Sequence, residues 1–140
     1  MRFRTMMWIV LAVLVLVVGA QAWVRLSPLD PARHHVPPEV SEDANFANGV
    51  RRRIPARDDT LARLDAIILD TPHTERLAGS VASGAVTYVT RSAFWGFPDL
   101  TTVAYRNGAV EVLARSRFGR SDMGVNRARV DRWLGRLEQG

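Results

Sequence analysis

The feature that most constrains this chain is an uncharged apolar run near its N-terminus, residues 6–24. Its nineteen residues include a single polar side chain, Gln21. As a helix the run would extend about 28 Å, close to the roughly 30 Å thickness of the hydrocarbon core of a bilayer. Trp8 and Trp23 lie near its two ends, where membrane-spanning helices place aromatic rings. The run therefore predicts a transmembrane anchor.

The residues that flank the run predict its orientation. Arg2, Arg4 and the free amine make the N-terminal side positive, which keeps that side in the cytoplasm. A cleavable signal peptide is the alternative, because Ala20-Gln21-Ala22 has the small-residue pattern of a cleavage site. Both interpretations export the rest of the chain. We expect a single-pass inner-membrane protein with a periplasmic domain, or a soluble periplasmic protein if cleavage follows Ala22.

Composition excludes several kinds of site. The 140 residues include no cysteine, which rules out disulfides, thiol nucleophiles and cysteine-based metal sites. Three histidines leave little for a histidine-built metal centre, and the sequence predicts neither a metal nor a cofactor. Beyond Ala22, 17 arginines oppose 14 acidic residues, a net charge of +3. That charge is too small to argue for nucleic acid binding, so we expect no nucleic acid partner.

Residues 25–57 hold five of the seven prolines and show no helical or strand period. This pattern is typical of an extended, partly ordered tether. Arg51-Arg52-Arg53 with Arg57 forms a basic cluster in it, either a solvated charge run or a contact with anionic headgroups or an acidic partner. The chain thus divides into an anchor or signal segment (1–24), a proline-rich tether (25–57) and a small exported domain (58–140).

Apolar spacing predicts two helices in the exported domain. The first begins at Asp58 or Asp59, either of which can cap it, and ends before Pro72. The second is capped by Asn126. Their apolar stripes are Leu61, Leu64, Ile67 and Ile68 in the first helix, and Val130, Trp133, Leu134 and Leu137 in the second.

Between these helices the period changes to two. Residues 85–91 are rich in the residue types that favour strands, and residues 101–105 and 110–114 flank Asn107-Gly108, a two-residue hairpin turn. The turn fixes the register, which pairs Tyr105 with Val110, Val103 with Val112, Thr101 with Ala114, Ala104 with Glu111 and Thr102 with Leu113. We expect an α+β domain, an antiparallel sheet of at least three strands flanked by two helices.

Two loops stand out as candidate contact sites. Residues 91–99 contain Arg91, Phe94, Trp95, Phe97 and Asp99. Three aromatic rings in four residues either cap one end of the core or form an exposed apolar surface for a membrane, lipid or partner protein.

The second loop, residues 115–127, is rich in arginine and runs into a helix N-terminus. Its arginines either bind an anionic group such as a lipid headgroup or an acidic side chain, or pair internally with Asp99, Asp122 and carbonyls. The candidate contact residues here are Arg115, Arg117, Phe118, Arg120, Asp122, Asn126 and Arg127.

Signatures of catalysis are missing from the sequence. There is no G-x-S-x-G elbow, no phosphate-binding P-loop and no dinucleotide fingerprint. His34 and His35 lie in the predicted tether, and Asp65 and Asp70 fall on different faces of the first helix. The sequence therefore assigns no catalytic residue and favours a non-catalytic protein.

Two stretches, VTYVTRSAFWGFPDLTTV (86–103) and ARSRFGRSDMGVNRARVDRWL (114–134), resemble the family known as domain of unknown function 1499. Its members are small, often membrane-anchored proteins of bacteria and plastids. The resemblance implies no activity, cofactor or residue roles. It places within the family's motifs Arg91, Phe94, Gly96, Phe97, Pro98, Asp99, Arg115, Arg117, Phe118, Gly119, Asp122, Gly124, Asn126 and Arg127.

Three functional hypotheses follow. The first is a non-catalytic periplasmic domain that serves as an accessory or assembly subunit of an inner-membrane protein complex and docks through the two loops. The second is a binder of lipid, anionic lipid included, or of an anionic small molecule, with an apolar pocket formed by the sheet and Phe94, Trp95 and Phe97. The third is a hydrolytic enzyme.

Overall fold

The computed structural model describes residues 2–140, beginning with a long apolar helix, α1 (Arg2–Leu26). Nearly all its side chains are exposed, and only Val24, close to its C-terminal end, is buried. The helix meets the length and composition of a membrane span, which a signal sequence near an N-terminus meets as well.

Six strands form one antiparallel sheet in the order β1-β2-β6-β5-β4-β3. Within residues 2–140, three further helices accompany it, so the predicted α+β class is confirmed. The strands are β1 (Ala44–Phe46), β2 (Gly49–Pro55), β3 (Thr74–Ser80), β4 (Ala85–Arg91), β5 (Pro98–Arg106) and β6 (Ala109–Ser116). The helices after α1 are α2 (Pro31–His34), α3 (Thr60–Leu69) and α4 (Val125–Gln139).

The β5–β6 hairpin has the predicted register. Tyr105 lies opposite Val110 and Val103 opposite Val112, and the pairing continues to Asp99 and Ser116, beyond the predicted strand ends. Asn107 and Gly108 have φ angles of 49° and 73°, the left-handed values that such a turn requires. In the strand order of the sheet, this hairpin occupies the middle.

Helices α3 and α4 cover one face of the sheet. Leu64, Ile68, Val130 and Trp133 from the two helices pack with the buried side chains of the strands, and Tyr88 of β4 is fully buried among them. Each large side chain buried in this way stabilises the fold by about 1.5–3 kcal/mol. Asp59 is the N-cap residue of α3, as predicted, although its side chain makes no capping bond.

A buried acid ties β3 and β4 to α3. The Asp65 carboxylate accepts hydrogen bonds from Arg76 Nε (3.0 Å) and from the Tyr88 hydroxyl (2.7 Å). Burial acts to raise the pKa of Asp65, but these hydrogen bonds and the Arg76 charge hold it below its ordinary value. Burial and the same carboxylate raise the pKa of Tyr88. The carboxylate is thus ionised and fully bonded in the folded protein.

The second face of the sheet is covered by residues 35–40, which we call the strap. His35 Nδ1 is 2.9 Å from Thr87 Oγ1, and the Val40 amide donates to Glu111 Oε2 at 3.1 Å. The buried residues Pro38 and Val40 lie against the strands. This explains why Glu111 is buried on a strand whose second face was expected to be only partly apolar.

The segment predicted to be a tether differs from expectation between residues 44 and 55, which form β1 and β2. Seven residues of β2 pair with β6, so this part of the segment belongs to the sheet. The period of two is hidden because arginines occupy both faces of β2. The run is not simply solvated: Arg51, Arg52 and Arg53 lie 3.4, 3.0 and 3.5 Å from carboxylate oxygens of Glu42, Asp131 and Glu111 respectively.

We predict that Val50→Ala lowers the free energy of unfolding by about 1–3 kcal/mol, because Val50 of β2 is fully buried in the core. The matched control is Val36→Ala in the same segment, where the side chain is 61% exposed and the expected change is within about 0.5 kcal/mol. Urea unfolding of the full chain in mild detergent measures both. Equal, small effects would contradict the placement of β2 in the core.

Candidate functional site

The two loops singled out by the sequence lie at the same end of the sheet. Residues 92–97 join β4 to β5, and residues 117–124 join β6 to α4. Antiparallel pairing puts these connections together and leaves the turn at residues 107–108 at the opposite end. The C-terminal end of α1 contacts both of these loops. We call this the helix-facing end and the opposite one the distal end.

Five aromatic rings meet at the helix-facing end and form the aromatic cluster. Ring centroids are 5.1 Å apart for Phe94–Trp95, 6.2 Å for Trp95–Phe97, 6.2 Å for Phe97–Phe118 and 5.9 Å for Trp23–Phe118. Phe94 and Trp23 are each 65% exposed, and Trp95 is 38% exposed. The rings therefore form an exposed apolar surface, not a cap over the core.

Polar side chains of α1 hold the first loop. Arg25 Nη2 donates to the Ala93 carbonyl at 3.1 Å and to the Phe94 carbonyl at 2.9 Å, and Gln21 Nε2 also donates to Phe94. Gly96 has a φ of 73°, and a Cβ there would lie 2.6 Å from Arg25 Cγ. A side chain at residue 96 would thus be strained and would collide with the arginine. The helix and the loop fit each other closely.

The first loop is also fixed by its own hydrogen bonds. The Gly96 amide donates to the Ser92 carbonyl at 2.9 Å, and the Ser92 amide donates to the Phe97 carbonyl at 3.0 Å. Arg91 Nη1 donates to the Gly96 carbonyl at 3.2 Å. With its backbone bonded inward, the loop directs its rings outward. Arg91, expected among the contact residues, acts here on the shape of the loop.

A buried polar network lies behind the second loop. Asp99 accepts from Ser116 Oγ at 2.6 Å and from Arg129 Nη1 at 3.0 Å. Asn126 Nδ2 donates to Ser116 Oγ at 3.2 Å and to Asp122 Oδ2 at 2.8 Å. Arg129 also donates to Asn126 Oδ1 at 3.1 Å. All of its members except the half-buried Ser116 are buried, and the bonds link β5, β6 and α4.

The start of α4 differs from the prediction that Asn126 caps it. The N-cap residue is Gly124, with a φ of 79°, and Asn126 lies inside the first turn. The cap is the Asp122 carboxylate, which accepts from the Gly124 amide at 2.9 Å and the Asn126 amide at 3.1 Å. Burial acts to raise the pKa of Asp122, but these bonds and the Asn126 side chain lower it below its ordinary value.

The arginines of the second loop do not share these carboxylates. Asp99 and Asp122 are bonded by Arg129, Ser116, Asn126 and backbone amides. In the described residues, 2–140, no ion pair involves any of the four candidate arginines of this loop, which are Arg115, Arg117, Arg120 and Arg127. The internal pairing considered for them is thus absent from this part of the chain, and anion binding stays a prediction.

The electrostatic field beside this loop is positive. Burial and then the charges of Arg117 and Arg115 lower the pKa of His34, which lies on α2. Arg117 stacks over the Phe118 ring, with its Cζ 5.1 Å from the ring centroid, an arrangement that favours a cation. The aromatic cluster and the basic groups thus adjoin each other.

Several residues at this end escaped the sequence analysis. Trp23 was assigned to the membrane run, and Arg25 and His34 were assigned to the tether. Arg129 lies outside the apolar stripe predicted for its helix, yet it is buried. Its spacing of three from Asn126 was the one available signal, since residues three apart share a helix face.

The described residues of the site hold neither a cluster of metal ligands nor a serine paired with a histidine. Within residues 2–140, no group of three or more histidine, aspartate or glutamate side chains is placed to hold a metal ion. Ser116 is bonded to an acid, but no histidine side chain in the described part of the chain joins that pair. What the site presents outward is apolar rings and uncompensated guanidinium groups.

We predict that Asp122→Asn makes stability less dependent on pH. A carboxyl whose pKa is lower in the folded state stabilises the protein above the unfolded pKa of about 3.9, and that contribution is lost as pH falls through the folded pKa. At pH 7 the variant should have a free energy of unfolding about 1–3 kcal/mol lower than wild type, because an amide cannot accept all three hydrogen bonds. On acidification the variant should lose less stability than wild type does.

Urea unfolding at a series of pH values between 7 and 2 provides the measurement. Asp58→Asn is the control, because its carboxylate is exposed and the variant should follow the wild-type curve. If Asp122→Asn and wild type lost stability in parallel below about pH 4, the role given to the Asp122 carboxylate would be wrong.

Comparison with known proteins agrees with the motifs in the two loops. No curated protein matches the chain. Residues 28–137 match the family model described as a protein of unknown function (DUF1499), which covers most of the chain from just after α1 to the last turns of α4. The match includes the strap, β1 and β2 in addition to the two loops. The chain therefore belongs to the domain of unknown function 1499 family.

Proposed function

We propose that this protein is a non-catalytic, single-pass membrane protein whose periplasmic domain serves as an accessory or assembly subunit of an inner-membrane complex. The observation that supports this best is the aromatic cluster, because Trp23 at the end of the apolar helix and Phe118 of the domain belong to the same group of rings. With α1 in the bilayer, these rings lie at the interfacial depth at which membrane proteins place tryptophan.

The domain is attached rigidly to the helix and is not connected to it by a flexible linker alone. Arg25 and Gln21 are bonded to the backbone of the first loop, so the orientation of the domain follows that of the helix. A domain held in one orientation against the membrane presents one fixed surface to a neighbouring membrane protein. That surface holds an exposed apolar centre beside charged groups, a composition typical of protein interfaces.

The second candidate function, binding of a lipid or an anionic small molecule, is favoured by a different observation. A groove of about 430 Å³ lies between the strap and the second face of the sheet, with Arg115 on its wall. This groove is separate from the pocket predicted beneath Phe94, Trp95 and Phe97, because none of these three residues lines it. Its volume is within the range of about 300–1,000 Å³ of small-molecule sites.

The test of the subunit role is a pull-down from gently solubilised native membranes through a C-terminal tag. We expect wild type to retain a stoichiometric set of integral-membrane proteins. Trp95→Ser should reduce their recovery several-fold, because tryptophan is a frequent anchor of interfaces. The matched control is Tyr105→Ser, which removes an aromatic ring that is 51% exposed at the distal end.

The controls separate the possible outcomes. Recovery that falls with Trp95→Ser and not with Tyr105→Ser supports docking through the helix-facing end. A wild-type protein that emerges alone and monomeric in every mild detergent contradicts the subunit role. Equal recovery from wild type and Trp95→Ser contradicts the surface assigned to it.

A further inference from the structure

The groove beneath the strap has an apolar body. Its floor is formed by β5 and β6, where Leu100 is buried and Leu113 is half-buried. Its opposite wall is the proline-rich strap. Val36, Pro37 and Pro38 line it from the strap. A chain of apolar groups placed here would contact apolar side chains on both sides.

The end of the groove nearer α1 is basic. Arg115 and Arg117 are two residues apart along β6 and its continuation, so they project from the same face of the sheet as Leu113. His34 and Arg115 both line the groove, and the charges of Arg117 and Arg115 both act on the His34 imidazole. Three basic side chains from two separate segments thus converge on this end.

One of these basic side chains, that of Arg117, has a buried donor atom without a hydrogen-bond partner. The Nη1 atom of Arg117 is buried and has no hydrogen-bond partner in the structure. A buried guanidinium nitrogen without an acceptor is unfavourable, because it has lost its hydrogen bonds to water and has no protein acceptor in their place. An anion at this position would supply the missing acceptor.

Nearby carboxylates are bound elsewhere. Asp30 acts on His34, but its Oδ1 accepts from the Ala32 amide at 3.0 Å and so caps α2. Glu39 lies towards the distal end of the groove, where its Oε1 is 3.4 Å from Arg106 Nη2. The groove is therefore polarised, with an ion pair at the distal end and, at the end nearer α1, the basic groups His34, Arg115 and Arg117 with Asp30 as the one carboxylate that acts on His34.

We propose that His34, Arg115 and Arg117 form a binding site for a phosphate group, and that the groove beside them accepts an apolar substituent of that phosphate. Guanidinium forks match the oxygens of phosphate and form charge-assisted hydrogen bonds with them. A ligand with a phosphate and an apolar chain is a phospholipid. The basic end lies on the strand that leads into the aromatic cluster, so an acidic phospholipid of the adjoining leaflet is the source that we assign.

This inference rests on the second candidate function, lipid binding in the groove, and is independent of the accessory-subunit role, because phosphate binding requires no protein partner. Its test uses the full chain in nanodiscs of phosphatidylcholine with a minor fraction of phosphatidylglycerol, followed by native mass spectrometry. We expect wild type to retain phosphatidylglycerol in preference to phosphatidylcholine. Arg115→Gln with Arg117→Gln should lower that retention about tenfold, since each change removes a charged donor.

A second arm distinguishes a lipid headgroup from free phosphate. Inorganic phosphate is titrated into the detergent-solubilised chain while the His34 imidazole is followed by NMR. If phosphate saturates the site at low concentration and the chain retains no phosphatidylglycerol in the nanodiscs, the site binds free phosphate and the lipid source is overturned. Retention of phosphatidylglycerol with only weak phosphate binding supports the lipid.

The matched control is Arg57→Gln, which removes the same charge from an exposed residue beyond the end of β2, near the distal turn. It should leave both readouts unchanged. If the double variant unfolds early in a thermal melt, Arg115→Gln alone tests the site. The Arg115 side chain is exposed and belongs to no ion pair of the described chain. If these variants retained lipid and bound phosphate as well as Arg57→Gln does, the proposal would be overturned.

Discussion

The placement of the domain on its apolar helix depends on two backbone carbonyls, those of Ala93 and Phe94. Both accept hydrogen bonds from Arg25, and Gln21 also donates to the second. A guanidinium can donate to several acceptors in one plane, so a single side chain fixes the loop in both position and orientation. The absence of a side chain at Gly96 gives the arginine its room. The aromatic cluster, and with it the proposed interfacial position of the domain, follows from this contact.

The second loop depends on the buried network instead. Asp99 and Asp122 would be costly inside the protein without partners, and Arg129, Ser116 and Asn126 supply them. With these partners in place, neither acid forms an ion pair with Arg115 or Arg117 in the described residues. A structural requirement of the core thus leaves the outer arginines uncompensated, which links the stability of the α4 start to the charge available for ligand binding.

Local patterns predicted the centre of the fold well. Asn107-Gly108 determined a turn, the turn determined the register, and the stripe containing Val130 and Trp133 predicted α4. These elements are governed by interactions between near neighbours in sequence. The two loops singled out by the sequence also lie at one end of the sheet in the structure.

The remaining elements depend on contacts that sequence neighbours do not reveal. The strand character of β2 is masked by Arg51, Arg52 and Arg53, whose partners include Asp131, 79 residues from Arg52. The strap has no period at all, because proline-rich chain packs through single residues such as Pro38 and Val40. Arg129 looked like its exposed neighbours in the sequence, and only the position of Asp99 makes it a core residue. Each case is a long-range pairing.

The most direct test of the central claim, a domain held rigidly against the membrane surface, is the immersion depth of the first loop. The chain has no cysteine, so Ala93→Cys and Asn107→Cys each give a single labelling site. Spin labels on the full chain in lipid bilayers report depth through their accessibility to oxygen and to a water-soluble nickel complex. The account predicts an interfacial depth for the label at position 93 and full exposure to water at position 107. Equal water exposure at the two positions would contradict it.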